Sequence, residues 1–301
     1  MGRRYSINSE SFFDLKLIFY VEKVKALIDV TKPKQTFLLM ITFLVSYIVA
    51  RGGADFNFII ATISMFLAIS GTTAINMWLD RDIDAIMPRT RKRPVPAGIL
   101  KPSECAAFGA AIFAIGQALG FLVNVKFALV LFFGLIFDIV IYTILLKRKS
   151  PYSIVLGGFA GAMPALGGWV AVQGFTLPGF IIAAIVLLWI PSHIWYISMH
   201  YEEDYRMANI PMYPLVVGME RASWAIVFAT ALMLVLAASL YVLLPLGIFY
   251  LVISTSAVAF FLYKAVKFAL SPDRVKARKM YKLASMTLGL VYFSLLLGVF
   301  L

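Results

Sequence analysis

The chain has 301 residues, 62% of them hydrophobic and only 14% charged, with a mean hydropathy of +0.91 and a formal net charge of +12. A soluble domain is typically about 45–50% apolar and about 25% charged, so this composition excludes a water-soluble fold and predicts an all-α, polytopic membrane protein. A single cysteine, Cys105, excludes an intrachain disulfide and reads as a small core residue.

Residues 1–34 form an N-terminal cytoplasmic segment carrying mixed charge. The first long apolar run starts only near Phe37, so no cleavable leader is expected. Ser11 to Asp29 alternates apolar clusters with charges and predicts an amphipathic helix lying on the membrane surface. Pro33 marks the entry to the first span. From residue 35 to 301 the chain predicts one nine-span domain. The apolar segments fall near 35–51, 57–79, 104–123, 126–146, 153–172, 178–200, 221–243, 246–268 and 280–301, each close to the ~20 residues a bilayer demands.

With the N-terminus inside, all 27 Lys and Arg except Arg51 and Lys126 lie on cytoplasmic segments. That asymmetry predicts N-in, C-out topology, and it accounts for the positive charge without nucleic acid. The loops at 80–103, 147–152 and 201–220 then share the cytoplasmic side, so a reaction site is expected to face the cytoplasm. The acidic ends of the second and sixth spans are about four helices apart, which suggests an internal duplication.

The stretch Asn76 to Gly98 reads NMWLDRDIDAIMPRTRKRPVPAG. Asn76, Asp80 and Asp84 are spaced i, i+4, i+8 and share one helix face. Arg81, Arg89, Arg91, Lys92 and Arg93 follow. Acids that hold a divalent cation beside bases that hold phosphate predict a metal-bridged polyphosphate site at a wet helix end. The bases alone are equally what topology places there.

Lys147, Arg148 and Lys149 follow Tyr142 at the end of the fourth span. Ser150-Pro151 breaks the helix there and is positioned to aim them at phosphate. Asp138, inside that span, is either functional or a protonated interhelical hydrogen-bond partner. The pairs Gly157-Gly158 and Gly167-Gly168 are expected to let helices approach closely. Glu202, Glu203 and Asp204 end the sixth span as a second acidic cluster. Two such sites facing one cavity would each hold magnesium and make a diphosphate a good leaving group. His193 and His200 are the only histidines. His193 lies roughly 16 Å of helix before Asp204, between Trp189 and Trp195. Its spacing fits either an interhelical hydrogen bond or contact with a second substrate.

The pattern NxxxDxxxD running into RTRxRP resembles the first Asp-rich motif of the UbiA-type intramembrane prenyltransferases. The longer form, together with YTILLKRKSP, PSHIW, EDYRMA and IPMYPLV, is similar to the protoheme IX farnesyltransferase (haem O synthase) branch. The resemblance runs from Thr31 to Gly218. It implies nine helices round a central cavity open toward the cytoplasm, in the plasma membrane. It implies transfer of a farnesyl group from farnesyl diphosphate to the 2-vinyl of haem B, giving haem O. Magnesium is the implied cofactor, on Asn76, Asp80 and Asp84 and on Asp204 with Glu203. Arg89, Arg93, Lys147 and Arg148 would hold diphosphate, with Tyr142 and Tyr205 lining the substrate. Asp80, Asp84, Asp204 and His193 would carry the chemistry, with His193 facing the haem. Haem A synthase or a terminal oxidase would be assembly partners. Ser192, Ile194 and Asn209 depart from residues common among relatives (proline, phenylalanine and glycine). Two other readings fit some of these features: a related prenyltransferase with an aromatic or lipid acceptor, and a membrane transporter.

Overall fold

Each long apolar run forms one helix. The computed structural model describes residues 9–301, and all regular structure among them is helical. The order is α1 (Ser9–Val30), α2 (Pro33–Arg51), α3 (Phe56–Leu79), α4 (Arg81–Ile86), α5 (Pro102–Val123), α6 (Val125–Leu135) running on as a π-helical segment (Ile136–Leu146), α7 (Ser153–Gln173), α8 (Leu177–His200), α9 (Glu202–Met207), α10 (Tyr213–Val217), α11 (Met219–Leu243), α12 (Ile248–Leu270) and α13 (Arg274–Phe300). Nine helices among the described residues are long and apolar enough to cross a membrane, α6 and its π segment counting as one. The protein is a multi-pass membrane protein.

The polarity of the surface agrees with that setting. Phe56, Phe121, Leu122, Phe228, Val242 and Phe300 are exposed on the outside of the bundle. Inside, small and hydroxyl residues let helices meet, since lipid-facing packing gains little from burial alone. Ser64 Oγ donates to the Gly116 carbonyl at 2.7 Å, tying α3 to α5. A Cβ on Gly168 would stand 2.2 Å from the Phe43 carbonyl oxygen, so α7 meets α2 backbone to backbone. The glycine pairs therefore serve packing, as their sequence context predicts. Helices α3, α5, α6 and α7 form one half of the bundle and α8, α11, α12 and α13 the other, with α2 touching α3, α7 and α13.

The expected N-terminal helix is present as α1; residues 1–8 lie outside the described residues. Ala26 and Val30 of α1 are buried with Ala74, Met77 and Cys105, and Lys23 pairs with Glu104 at 2.6 Å. Val21, Val24 and Ile28 stay exposed, leaving an apolar strip outside the bundle. Two differences from the expected elements matter. Helix α13 begins at Arg274 rather than near 280, because Asp273 caps it by accepting from Lys276 N at 2.8 Å; the RVKARK charges conceal that turn from hydropathy. Short helices α4, α9 and α10 also form where loops were expected. The α3–α4 and α8–α9 junctions are alike: a span, one non-helical residue (Asp80, Tyr201), then a six-residue helix bearing acids. That likeness fits an internal duplication.

Candidate active site

The first motif crosses the α3–α4 break without losing its face. Asp80 N donates to the Asn76 carbonyl at 2.9 Å and Asp84 N to the Asp80 carbonyl at 2.8 Å, so the i→i+4 ladder continues. Asn76, Asp80 and Asp84 consequently project together, but they are buried, both aspartates at 1% exposure. The expected wet helix end is a closed one. A buried carboxylate demands a cation, and the chain supplies it. Asp80 Oδ2 pairs with Lys147 Nζ. Asp84 Oδ2 accepts from Arg93 at 2.6 Å, while Thr90 Oγ1 donates to the Asp84 carbonyl and fixes the turn. Asp80 Oδ1, also buried, has no hydrogen-bond partner.

Lys147 reaches Asp80 because the fourth span ends as a π-helix, a form that often marks functional sites. Lys147 N donates to the Tyr142 carbonyl five residues back at 2.7 Å. Tyr142 lies against Gly157, where a Cβ would fall 2.5 Å from the ring, and Lys147 Nζ stands 5.5 Å from the ring centroid. Thr143, on the same segment, accepts from Asn76 Nδ2 at 2.8 Å and donates to the Asp138 carbonyl. The Asn76 oxygen accepts from Lys32 Nζ at 3.2 Å. Burial, then the Arg93 and Lys147 charges, bring the Lys32 ammonium down to about 8, against the pull of Asp138 and Asp80.

Chain folding joins the second motif to the first. Arg89 reaches Asp204 at 3.8 Å and lies over the Tyr201 ring. Ile83 and Met87 share one buried cluster with Trp195, Tyr196 and Met199, with Tyr142 and Tyr205 packed against it. Within the acidic run the three side chains divide. Glu202 is buried and held by Arg206 at 2.7 Å and Arg274 at 2.6 Å, which ties α9 to α13. Glu203 is exposed, and Asp204 alone faces the first motif's bases. Arg148 is engaged from outside: it binds both oxygens of the exposed Asp82 at 2.6 Å and the Leu79 carbonyl. Its hydrogen bonds, ahead of its charge, hold the Asp82 carboxyl down to about 2. Arg91, Lys92 and Lys149 are exposed, as topology-setting charges would be.

His193 sits on α8 with its ring stacked on Trp189, centroids 4.7 Å apart, and its Nδ1 3.0 Å from Ser285 Oγ. Tyr281 meets it edge-on at 6.1 Å. Trp195 turns away to stack on Tyr213, as two residues of helix, about 200°, require. His200 Nδ1 lies 3.2 Å from the Arg274 carbonyl oxygen. Asn209 has φ 50, a conformation that asparagine tolerates. Lys32, Thr143, Asp82 and Ser285 are the site residues the motif reading did not single out.

Among the described residues no three His, Cys, Asp or Glu side chains form a preassembled metal cage. Magnesium, however, takes only one or two carboxylates and completes its shell with phosphate oxygens and water, and the free oxygen of Asp80 fits such an ion. The site therefore combines two acidic helix ends and bases matched to them with an aromatic cluster deeper in the bundle.

The model of the UbiA prenyltransferase family matches residues 39–291. A protoheme IX farnesyltransferase of Archaeoglobus fulgidus is 95% identical over 281 residues, 93% of this chain and all of that protein. That of Korarchaeum cryptofilum is 45% identical, over 92% of this chain and 95% of that protein. Among solved structures, one of digeranylgeranylglyceryl phosphate synthase superposes with TM-score 0.80 at 21% identity, over 92% of this chain and 99% of that one. A UbiA homologue from Archaeoglobus fulgidus bound to GPP and Mg2+ gives TM-score 0.65 at 15% identity, over 90% of this chain and 99% of that one. These two likenesses establish the fold. The fold is that of a membrane prenyltransferase. The chain belongs to the UbiA prenyltransferase family.

Proposed function

We propose that the protein transfers the farnesyl group of farnesyl diphosphate to the 2-vinyl group of haem B, forming haem O. The relatives named protoheme IX farnesyltransferase support the substrates. The observation that carries the chemistry is the meeting of the two acidic segments, with Arg89 on Asp204, Lys147 on Asp80 and Arg93 on Asp84.

These pairs neutralise buried carboxylates at rest. On substrate binding the bases would turn to the diphosphate oxygens, and the carboxylates they release would hold magnesium. Asp80, through its free oxygen, Asp84 and Asp204 would hold magnesium, with Glu203 at the rim and Asn76 beside Asp80. Bound there, magnesium supplies charge neutralisation that makes diphosphate a better leaving group. Lys147, Arg93 and Arg89 bind the same anion, and Tyr142 and Tyr205 wall the site against water. Arg148, held by Asp82, steadies the turn that aims Lys147.

Breaking the C1–O bond leaves an allylic cation, the electron pair departing with diphosphate. The vinyl group forms the new C–C bond, and water adds to the resulting cation and loses a proton, which completes the hydroxyalkyl group. Trp189 and His193 offer a flat surface for the haem, with Ser285 fixing the imidazole through Nδ1. The one-sided distribution of Lys and Arg supports a site open to the cytoplasm in an N-in plasma-membrane protein. Residues 35–301 would act as the enzyme and 1–34 as its surface-bound lead. A recipient of the apolar product, haem A synthase or a terminal oxidase, is the implied partner.

The test is incubation of the purified protein with farnesyl diphosphate, haem B and magnesium, followed by mass analysis of extracted haem. Haem O is expected. Unmodified haem, with prenylation of an aromatic or lipid acceptor instead, would overturn the assignment.

A further inference from the structure

Lys32 occupies a backbone position that lysine rarely adopts. It lies between α1 and α2 with φ 46 and ψ 66, in the left-handed region. The residue after it is Pro33, and a residue before proline is normally pushed toward extended conformations. Glycine or asparagine suits a left-handed junction better. Such strain persists where the surroundings impose it, and it gathers at functional sites. Here the surroundings are definite. Lys32 N donates to the Asp29 carbonyl at 3.1 Å, closing α1. The Lys32 carbonyl accepts from Gln35 N and Thr36 N, opening α2.

That conformation sends the side chain inward to Asn76 Oδ1. The Asn76 amide cannot rotate away, because its nitrogen is committed to Thr143. The ammonium thereby enters the charge field of Arg93, Lys147, Asp80 and Asp138. Arg93 and Lys147 are each engaged by a carboxylate. The hydrogen bond of Lys32 goes to a neutral amide. Asp80 and Asp84 offset Lys147 and Arg93 in direct pairs, whereas Lys32, bonded to the Asn76 amide oxygen, forms no ion pair among the described residues and keeps its charge for an incoming anion.

We propose that Lys32 is a direct ligand of the substrate diphosphate, carried into the site by the strained α1–α2 junction. This deepens the diphosphate reading above and rests on it. In this role the α1 helix, with its exposed apolar strip, is mechanically joined to the phosphate end of the site.

Two variants of the full chain test the role. Lys32→Gly removes the charge and relieves the backbone, so folding should not suffer. Lys32→Met removes the charge and keeps the stem. The probe is inorganic diphosphate, titrated by calorimetry with and without magnesium, alongside thermal melting. Both variants should lose roughly 10- to 100-fold in affinity, the size of one charge-assisted hydrogen bond. The loss should appear with magnesium and without it, and Lys32→Gly should melt no lower than the parent. Parental affinity in both variants would overturn the role of Lys32 and leave the diphosphate site standing. A loss seen only with magnesium would also overturn it, since the lysine would then be acting through Asn76 on the metal. Failure of the parent itself to bind diphosphate would overturn the underlying reading together with this one.

Discussion

Asp80→Asn removes one charge from a closed pair. In the resting protein Asp80 is 1% exposed and its partner Lys147 has 13% of its side chain exposed. Removing one member of a buried pair typically costs about 3–5 kcal/mol, because the other charge is left without compensation. At the lower end that is a fall in melting temperature of order 10 °C. Lys147→Met alone should cost a similar amount by stranding Asp80. Asp80→Asn combined with Lys147→Met leaves neither charge stranded, so it should recover about 1–3 kcal/mol relative to the sum of the single changes. Thermal unfolding in one detergent, for the parent and the three variants, measures this cycle. Turnover should be lost in both variants carrying Asp80→Asn, because stability returns in the double variant and the carboxylate does not, and in Lys147→Met because a cation that binds diphosphate is gone. A melting temperature for Asp80→Asn equal to the parent's, with simple additivity in the double variant, would refute the resting arrangement.

Three further outcomes follow from local geometry. His193→Ala should abolish haem binding and haem O formation while farnesyl diphosphate binding with magnesium persists; a loss of order 1 kcal/mol spread over both ligands would show a hydrogen-bonding role only. Gly168→Ala should destabilise by about 2–3 kcal/mol or more, since its Cβ meets the Phe43 carbonyl oxygen at 2.2 Å, and melting reads this directly. Arg148 holds the Asp82 carboxyl at about 2 against an ordinary 3.8. A depressed acid stabilises the fold above its ordinary value and loses that contribution as pH falls from about 4 through about 2. The parent should therefore melt above Asp82→Asn at pH 7, and the difference should shrink toward pH 2.

The spans were legible because length and hydropathy suffice to find them, and the Asn76, Asp80, Asp84 ladder because four residues make about one turn. Partnership was not legible. Lys147 lies 67 residues from Asp80 and Lys32 lies 44 from Asn76, and nothing local distinguishes a lysine bound for a buried acid from one that marks topology. For Lys32 the one available signal was its place immediately before Pro33 at a helix junction. Glu202, Glu203 and Asp204 look interchangeable in sequence. Arg274, which claims Glu202, lay in a charged run that hydropathy placed outside the last helix. The tryptophans were separable in principle: Trp189 is one turn from His193, while Trp195 is two residues away and so on the opposite side. The π-helical end of the fourth span has no periodic signature in IFDIVIYTILL, an apolar run broken by a single acid.

Coupled product accounting tests the central claim most directly. Inorganic diphosphate released and haem O formed are measured together in the purified protein, with haem B present and withheld. The expected result is one diphosphate per haem O, little release without haem B, and neither product from Asp204→Asn. Equal release with and without haem B, or release driven by a lipid or aromatic acceptor in its place, would contradict the account.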